Sequence, residues 1–222
     1  KSLVKVPDGI DLEVVAAIMT KGLTTFYLLH KTYEVKSGQT VLFHAAAGGV
    51  GQIFCQWAKS LGCTVIGTVG SDEKIEIAKV YGCSHVINYN KYDFQKEVMK
   101  ITSDEGLPVV YDGVGKVTME KSLMSLKMKG TFVSFGNASG KLDPIDVGKL
   151  IAPKGLFLTR PSIAHYTATR DELDEAASKL FEMVKSQKVT VKLFKKYSLN
   201  DVVKAHKDLE GRKIIGPAII TP

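Results

Sequence analysis

Two stretches of this chain have residue types and spacing suited to holding a phosphorylated ligand. The first, His44-Ala45-Ala46-Ala47-Gly48-Gly49-Val50-Gly51-Gln52, follows the apolar run Thr40-Val41-Leu42-Phe43. Aligned on its last glycine, Ala46 to Gly51 has G-x-G-x-x-G spacing with alanine in the first glycine's place, the pattern of a dinucleotide-binding turn. Without a Cβ, Gly48 lets the backbone approach a pyrophosphate, and Gly51 lets the following helix pack close to the sheet. Ala47, Gly48, Gly49, Val50 and Gly51 are the candidate residues of this turn, where free N–H groups and the positive end of a helix face the phosphates.

The second stretch is Thr68-Val69-Gly70-Ser71-Asp72-Glu73-Lys74. In NAD-binding folds an acidic side chain about 20 residues beyond the glycine turn binds the ribose 2′-hydroxyl. Here the corresponding strand end, Thr68-Val69-Gly70-Ser71, is small and uncharged, which leaves room for a 2′-phosphate. Lys74, one turn into the next helix, is placed to offer an ammonium to that phosphate, with Ser71 and the helix N-terminus as further donors. Asp72 and Glu73 oppose this reading if their carboxylates face the ribose; turned away, they complement the helix dipole. The balance favours NADP(H) over NAD(H).

These stretches need a scaffold, and the sequence supplies an alternating one. Short apolar runs at Thr40–Ala45, Thr64–Val69, His85–Tyr89, Pro108–Asp112, Gly130–Phe135 and Gly155–Thr159 read as strands; the continuous apolar character of the first fits burial on both faces, and the sixth would be an exposed edge if unpaired. Helical patterns lie between most of them, for example Ile53, Phe54, Trp57, Ala58 and Leu61, closed by Gly62. The fold expected is α/β, a doubly wound parallel sheet of six strands of the Rossmann kind. Ahead of it, Asp11 caps a helix carrying Val14, Val15, Ile18 and Met19, and a second helical stretch spans about Leu23 to Lys31. Behind it come a long amphipathic helix from Thr169 and short strand-like pieces at Val191–Phe194 and Ile214–Ile220, with a helix near Asp201 to Leu209 between them. That tail reads as a return into a second domain. The division expected is 1–21 as a connecting segment, 22–162 as the cofactor-binding domain and 163–222 as the returning segment.

Ligands of open α/β sheets lie beyond the carboxyl ends of the strands. Those ends carry Tyr89, Gly113-Val114, Ser134-Phe135-Gly136-Asn137 and Arg160. Tyr89 either flanks the adenine side or is an ordinary surface tyrosine. Phe135 and Gly136 are placed to line a nicotinamide, with a plain core role for Phe135 as the other reading. Arg160 either holds a cofactor oxygen or forms a cap or a surface ion pair. His44 reads as a packed, hydrogen-bonded histidine rather than a base, and no nucleophile constellation appears. Its absence excludes little, because a nicotinamide cofactor carries its own chemistry.

The 222 residues are 45% hydrophobic and 24% charged, in the ordinary globular range, with 30 Lys+Arg against 23 Asp+Glu for a net +7. The lysines are spread rather than run together, so the charge reads as a solvated surface. Cys55, Cys63 and Cys83 lack CxxC or Cys/His ligand spacing, so neither a disulfide nor a zinc site is expected. No run of about 18 apolar residues and no signal-peptide pattern is found, and a cytoplasmic location is expected.

Taken together, His44 to Gly51, Gly67-Thr68-Val69-Gly70-Ser71, Val86-Ile87-Asn88-Tyr89, Tyr111-Asp112-Gly113-Val114-Gly115, Val133-Ser134-Phe135-Gly136-Asn137 and Thr159-Arg160-Pro161-Ser162 resemble the medium-chain dehydrogenase/reductase superfamily. Within it the chain is similar to the NADPH-dependent quinone oxidoreductases related to zeta-crystallin. The resemblance implies zinc-free, two-electron reduction of a quinone by NADPH. It implies that Ser71, Lys74 and Tyr89 surround the adenosine 2′-phosphate, that Phe135 and Arg160 lie along the nicotinamide side, and that the protein is a homodimer formed through this domain. It also implies an N-terminal GroES-like catalytic domain ahead of Lys1, without which these residues bind NADPH but reduce quinone poorly. An NADPH-dependent enoyl reductase of the same superfamily is the alternative enzyme. RNA binding or a crystallin-like structural role is the alternative of another class.

Overall fold

The computed structural model describes residues 2–211 and 213–222. Six strands form one parallel sheet in the order β3-β2-β1-β4-β5-β6: β1 (Thr40–His44), β2 (Thr64–Val69), β3 (His85–Asn88), β4 (Leu107–Asp112), β5 (Leu126–Ser134) and β6 (Phe157–Thr159). The order reverses between β2 and β4 on either side of β1, so the switch point falls at the end of β1, where the glycine turn begins.

Alternation along each strand divides the interior into two layers. Val41 and Phe43 of β1, Val65 and Val69 of β2 and Val109 and Tyr111 of β4 face one core. Into it pack α1 (Leu12–Tyr27), α2 (Gly49–Ser60), α3 (Glu73–Val80) and α6 (Arg170–Lys185). Leu42, Ile66 and Val110 face the other core, covered by α4 (Phe94–Ile101) and α5 (Met119–Met124). Such two-sided burial is why these strands read as continuous apolar runs rather than alternating ones.

The sequence suggests two helices before β1, whereas the structure has one. α1 runs on through a π-helical turn at Leu28–Thr32, giving 21 helical residues from Leu12 to Thr32. Gly22, at the junction of the two expected stretches, is a contact: a Cβ there would lie 2.4 Å from Leu180 Cδ1 of α6. By length and composition this helix would suit a membrane crossing, although no 18-residue apolar run stood out in the sequence. Its apolar residues, among them Ile18, Leu23, Phe26 and Leu29, are instead committed to the core beside α2 and α6.

The tail differs from expectation in register. Strand pairing occurs at β7 (Lys195–Ser198) and β8 (Ala218–Thr221), with α7 (Val202–Glu210) between them, and not at Val191–Phe194. Val191 and Leu193 pack on the main core, so that run is apolar because it covers the sheet's helices, not because it joins a ladder. The sixth strand is an edge: Phe157 is 62% and Leu158 42% exposed.

Candidate functional site

The end of β1 turns through Ala45, whose φ of +57° is left-handed. Gly48 then caps α2 with ordinary extended φ and ψ of −76° and 171°. The left-handed residue is therefore Ala45, and Gly48 is free to serve close approach rather than turn geometry. The Gly48 N–H donates to Ala45 O at 2.8 Å, and the first intrahelical bond runs from Gln52 N to Gly48 O at 2.9 Å. The N–H groups of Gly49, Val50 and Gly51 accordingly have no backbone acceptor among the described residues, and no side chain caps the helix. A helix end with three free donors and its positive dipole is an anion-binding arrangement.

Gly51 performs the packing role expected of it. A Cβ there would sit 2.5 Å from Ala46 O and 2.7 Å from Ala45 O, so only glycine lets α2 lie this close to the turn. Gln52 fastens the same turn from inside, donating to Ala47 O at 2.8 Å and to Ile215 O at 3.1 Å.

Two clefts open on either side of the α2 N-terminus. One, of about 340 Å³, is lined by Ala47, Gly48, Gly70, Ser71, Lys74 and Tyr89, all anticipated from sequence, and by Glu73, Asn90, Ile214 and Ile215. Gly70 lies under Tyr89, whose Oη would be 3.0 Å from a Cβ at that position, while Asn90 Nδ2 donates to Gly70 O at 2.7 Å. Lys74 has no ion-pair partner among the described residues. Asp72 is turned away: Asn88 Nδ2 donates to its Oδ1 at 2.7 Å, and Lys91 pairs with its other oxygen. These two partners hold the Asp72 carboxyl below the usual carboxylate range, the lysine bond contributing most. The Asp72 side chain thus serves an ion pair and makes no cap bond to α3, although its carbonyl accepts from Ile75 N at 3.0 Å.

The other cleft, of about 590 Å³, gathers Val50, Phe135, Gly136 and Arg160 with Thr24, Tyr27 and His165. Among the described residues Arg160 forms neither a helix cap nor an ion pair. It donates to Ser134 O at 2.7 Å and to Asn137 Oδ1 at 3.3 Å, which pins it across the end of β5. Phe135 covers Gly113, with its Cζ 2.9 Å from where a Cβ would be, and its ring lies 5.4 Å from that of Phe43.

Three anticipated positions line neither cleft. Gly51 is packed as described, and Gly49 instead lies under the Lys21 side chain, whose Cε would be 2.6 Å from a Cβ there. Val114 is buried because Asp112 draws its turn inward. Asp112 Oδ1 accepts from Val114 N at 2.7 Å and Gly115 N at 2.9 Å, and Oδ2 from Thr118 Oγ1 at 2.7 Å. Behind it lies His44, fully buried between Thr68 Oγ1 at 2.7 Å and Ser122 Oγ at 2.8 Å. Ser122 Oγ also lies 2.7 Å from Thr118 O and 3.4 Å from Asp112 Oδ2, so the way this hydroxyl turns sets which ring nitrogen of His44 carries the proton. Burial pushes the His44 pKa down. As the sequence reading has it, this histidine is packed and hydrogen-bonded. Asp112, Asn90, Ile214 and Ile215 were not singled out from sequence. The two isoleucines come from the distant tail and leave no spacing signal.

Among the described residues no three His, Cys, Asp or Glu side chains come together in a way that would hold a metal ion. Cys55, Cys63 and Cys83 are buried free thiols. These residues do not fit a zinc centre.

The site agrees with what the chain is similar to. Residues 49–183 match the family model described as zinc-binding dehydrogenase. A 2-haloacrylate reductase of Burkholderia sp is 45% identical over 100% of this chain and 68% of its own length. A quinone oxidoreductase of Salmonella typhimurium is 48% identical over 97% of this chain and 67% of its own. The crystal structure of Escherichia coli quinone oxidoreductase complexed with NADPH superposes with a TM-score of 0.95 at 44% identity, over 99% of this chain and 68% of that one. The chain thus spans about two thirds of the length of these relatives. It belongs to the zinc-binding dehydrogenase family of the medium-chain dehydrogenase/reductase superfamily, among its quinone oxidoreductases.

Proposed function

We propose that the chain is the cofactor-binding part of an NADPH-dependent quinone oxidoreductase. The observation that carries the cofactor is the 340 Å³ cleft, in which an unpaired Lys74, Ser71 and Tyr89 stand beside the uncapped α2 N-terminus. The residues fit a dinucleotide phosphate: the free N–H groups of Gly49, Val50 and Gly51 hold the diphosphate next to Ala47 and Gly48. Lys74, Ser71, Gly70 and Tyr89 enclose the adenosine end with its 2′-phosphate. In the second cleft Phe135 and Gly136 shape the nicotinamide side, and Arg160, fixed by Ser134 and Asn137, offers it a cation. When bound, NADPH supplies the hydride that reduces the quinone. The protein's part is orientation and exclusion of water, which requires a cover over the second cleft.

The quinone acceptor is supported by relatives at 42–48% identity named quinone oxidoreductase. A relative at 45% identity is named 2-haloacrylate reductase, after an activated alkene, so the enoyl reductase is the second reading; the quinone reading rests on three relatives and is preferred to it and to the RNA-binding and structural readings. We read 1–21 as a connection to the covering domain, 22–162 as the cofactor domain and 163–222 as the return, and place the protein in the cytoplasm as a homodimer. The exposed β6 edge supports the dimer, since an unpaired apolar edge strand invites a second one.

The test is titration with NADPH and NADH, for wild type and Lys74→Ala. Loss of the phosphate contact should cost NADPH about 1.5–3 kcal/mol, as for hydrogen bonds to charged groups, with NADH nearly unchanged. Equal losses for both cofactors would remove the 2′-phosphate from this cleft.

A further inference from the structure

The cleft that holds Lys74 also holds a carboxylate, Glu73. Its sequence neighbour Asp72 is neutralised by Lys91. Glu73 has no cationic partner among the described residues, and the one side-chain bond it makes is from Ser71 Oγ, which donates to Glu73 Oε1 at 3.1 Å. An exposed, unneutralised acid therefore stands beside the cation and already occupies the hydroxyl of Ser71.

We propose that Glu73 is a specificity-determining residue for the cofactor, set against Lys74. Carboxylates are acceptors only. A ribose 2′-hydroxyl can donate to Glu73, whereas a 2′-phosphate is repelled by it and finds Ser71 engaged. Lys74 has the opposite preference. Selection between NADPH and NADH is then a difference between two opposed contacts, and the preference for NADPH is narrower than Lys74 alone would make it. Ser71 reports the balance: a phosphate that claims its hydroxyl must first break the bond to Glu73.

The inference rests on the adenosine end lying in this cleft, so its test carries that reading as a separate arm. Dissociation constants for NADPH and NADH are measured at low salt for wild type, Glu73→Gln, Glu73→Ala and Lys74→Ala. Glutamine keeps an acceptor for Ser71 while removing the charge. Glu73→Gln should tighten NADPH about two- to five-fold, the size of one solvent-screened charge interaction, and leave NADH unchanged or weaker. Glu73→Ala, which also frees Ser71, should tighten NADPH at least as much. The gain should shrink at about 0.5 M salt, where the screening length falls to a few ångströms. An unchanged NADH to NADPH affinity ratio in both Glu73 variants, with Lys74→Ala still selectively losing NADPH, overturns the role of Glu73 alone. If Lys74→Ala also leaves the ratio unchanged, the placement of the cofactor fails and the inference with it.

Discussion

Gly136 is locked against Gly113: a Cβ at 136 would stand 2.5 Å from the Gly113 carbonyl oxygen and 2.9 Å from its Cα. Both N–H groups at this corner, from Phe135 and Gly136, donate to Asp112 O at 2.9 and 3.3 Å. The ends of β4 and β5 are therefore one unit, and Gly136→Ala must force them apart because backbone cannot swing away. Overpacking of this kind costs about 1–3 kcal/mol, read from the urea midpoint, and NADPH affinity should fall with it because Phe135 and Arg160 move. Gly148→Ala, whose nearest neighbour would be Asp146 Oδ1 at 3.4 Å, should leave both readings close to wild type.

The glycine turn separates two kinds of glycine. At Gly51 the clash is with the carbonyl oxygens of Ala46 and Ala45, at 2.5 and 2.7 Å. At Gly49 it is with the far end of the Lys21 side chain, which can rotate into solvent. Gly51→Ala should therefore cost about 1–3 kcal/mol of stability, while Gly49→Ala stays within about 0.5 kcal/mol of wild type. Equal losses in urea unfolding would mean that the Lys21 stem is as unyielding as backbone.

Much of this site is visible in sequence for physical reasons. The glycine turn must follow a buried strand and open a helix, so Thr40 to Gly51 announces itself by composition and order together. Ser71 and Lys74 are legible because they follow the next strand end at a fixed distance. Other positions lie beyond such reasoning. Asp72 and Glu73 are adjacent acids at a helix start, and only the placement of Asn88 and Lys91 separates the one turned away from the one lining the cleft. Val114 looked like a cleft residue because it ends β4, but the buried Asp112 carboxylate claims the N–H groups of its turn. The two helical stretches expected before β1 are one helix: Gly22 between them, though costly in a helix, is where α1 packs against Leu180. The lower wall at Ile214 and Ile215 is a tertiary contact with no local signature.

His44 makes stability depend on pH. Burial lowers its pKa in the folded state below the ordinary 6.5, against a smaller opposing effect from Asp112. Below about pH 6.5 the unfolded chain takes up a proton that the folded protein refuses, so stability falls as pH falls, with a ceiling of about 1.4 kcal/mol per pH unit per group. His30 shifts the same way, with burial first and the Lys31 charge second, and adds to the slope. Urea unfolding between pH 5 and 7.5 should show the decline, and His44→Gln should be less stable at pH 7.5 yet lose less between pH 6.5 and 5. An unchanged slope in that variant would assign the acid sensitivity to other groups.

The exposed edge of β6 carries the last expectation. β6 is three residues long and pairs with β5 on one side only, through Thr131↔Phe157, Phe132↔Leu158 and Val133↔Thr159. Phe157 and Leu158 are 62% and 42% exposed, and apolar edge strands left open are templates for another strand. Pairing two copies along β6 would satisfy the free backbone groups and bury both side chains, joining two six-stranded sheets into one. A lysine on such an edge is the device by which sheets refuse a partner. On the proposed dimer, wild type should sediment as two copies and Phe157→Lys as one, with little change in NADPH affinity, because β6 adds Arg160 to the cleft only beyond its end; a monomeric wild type overturns the pairing. A dimer that survives both Phe157→Lys and Leu158→Lys would have to be built on another surface.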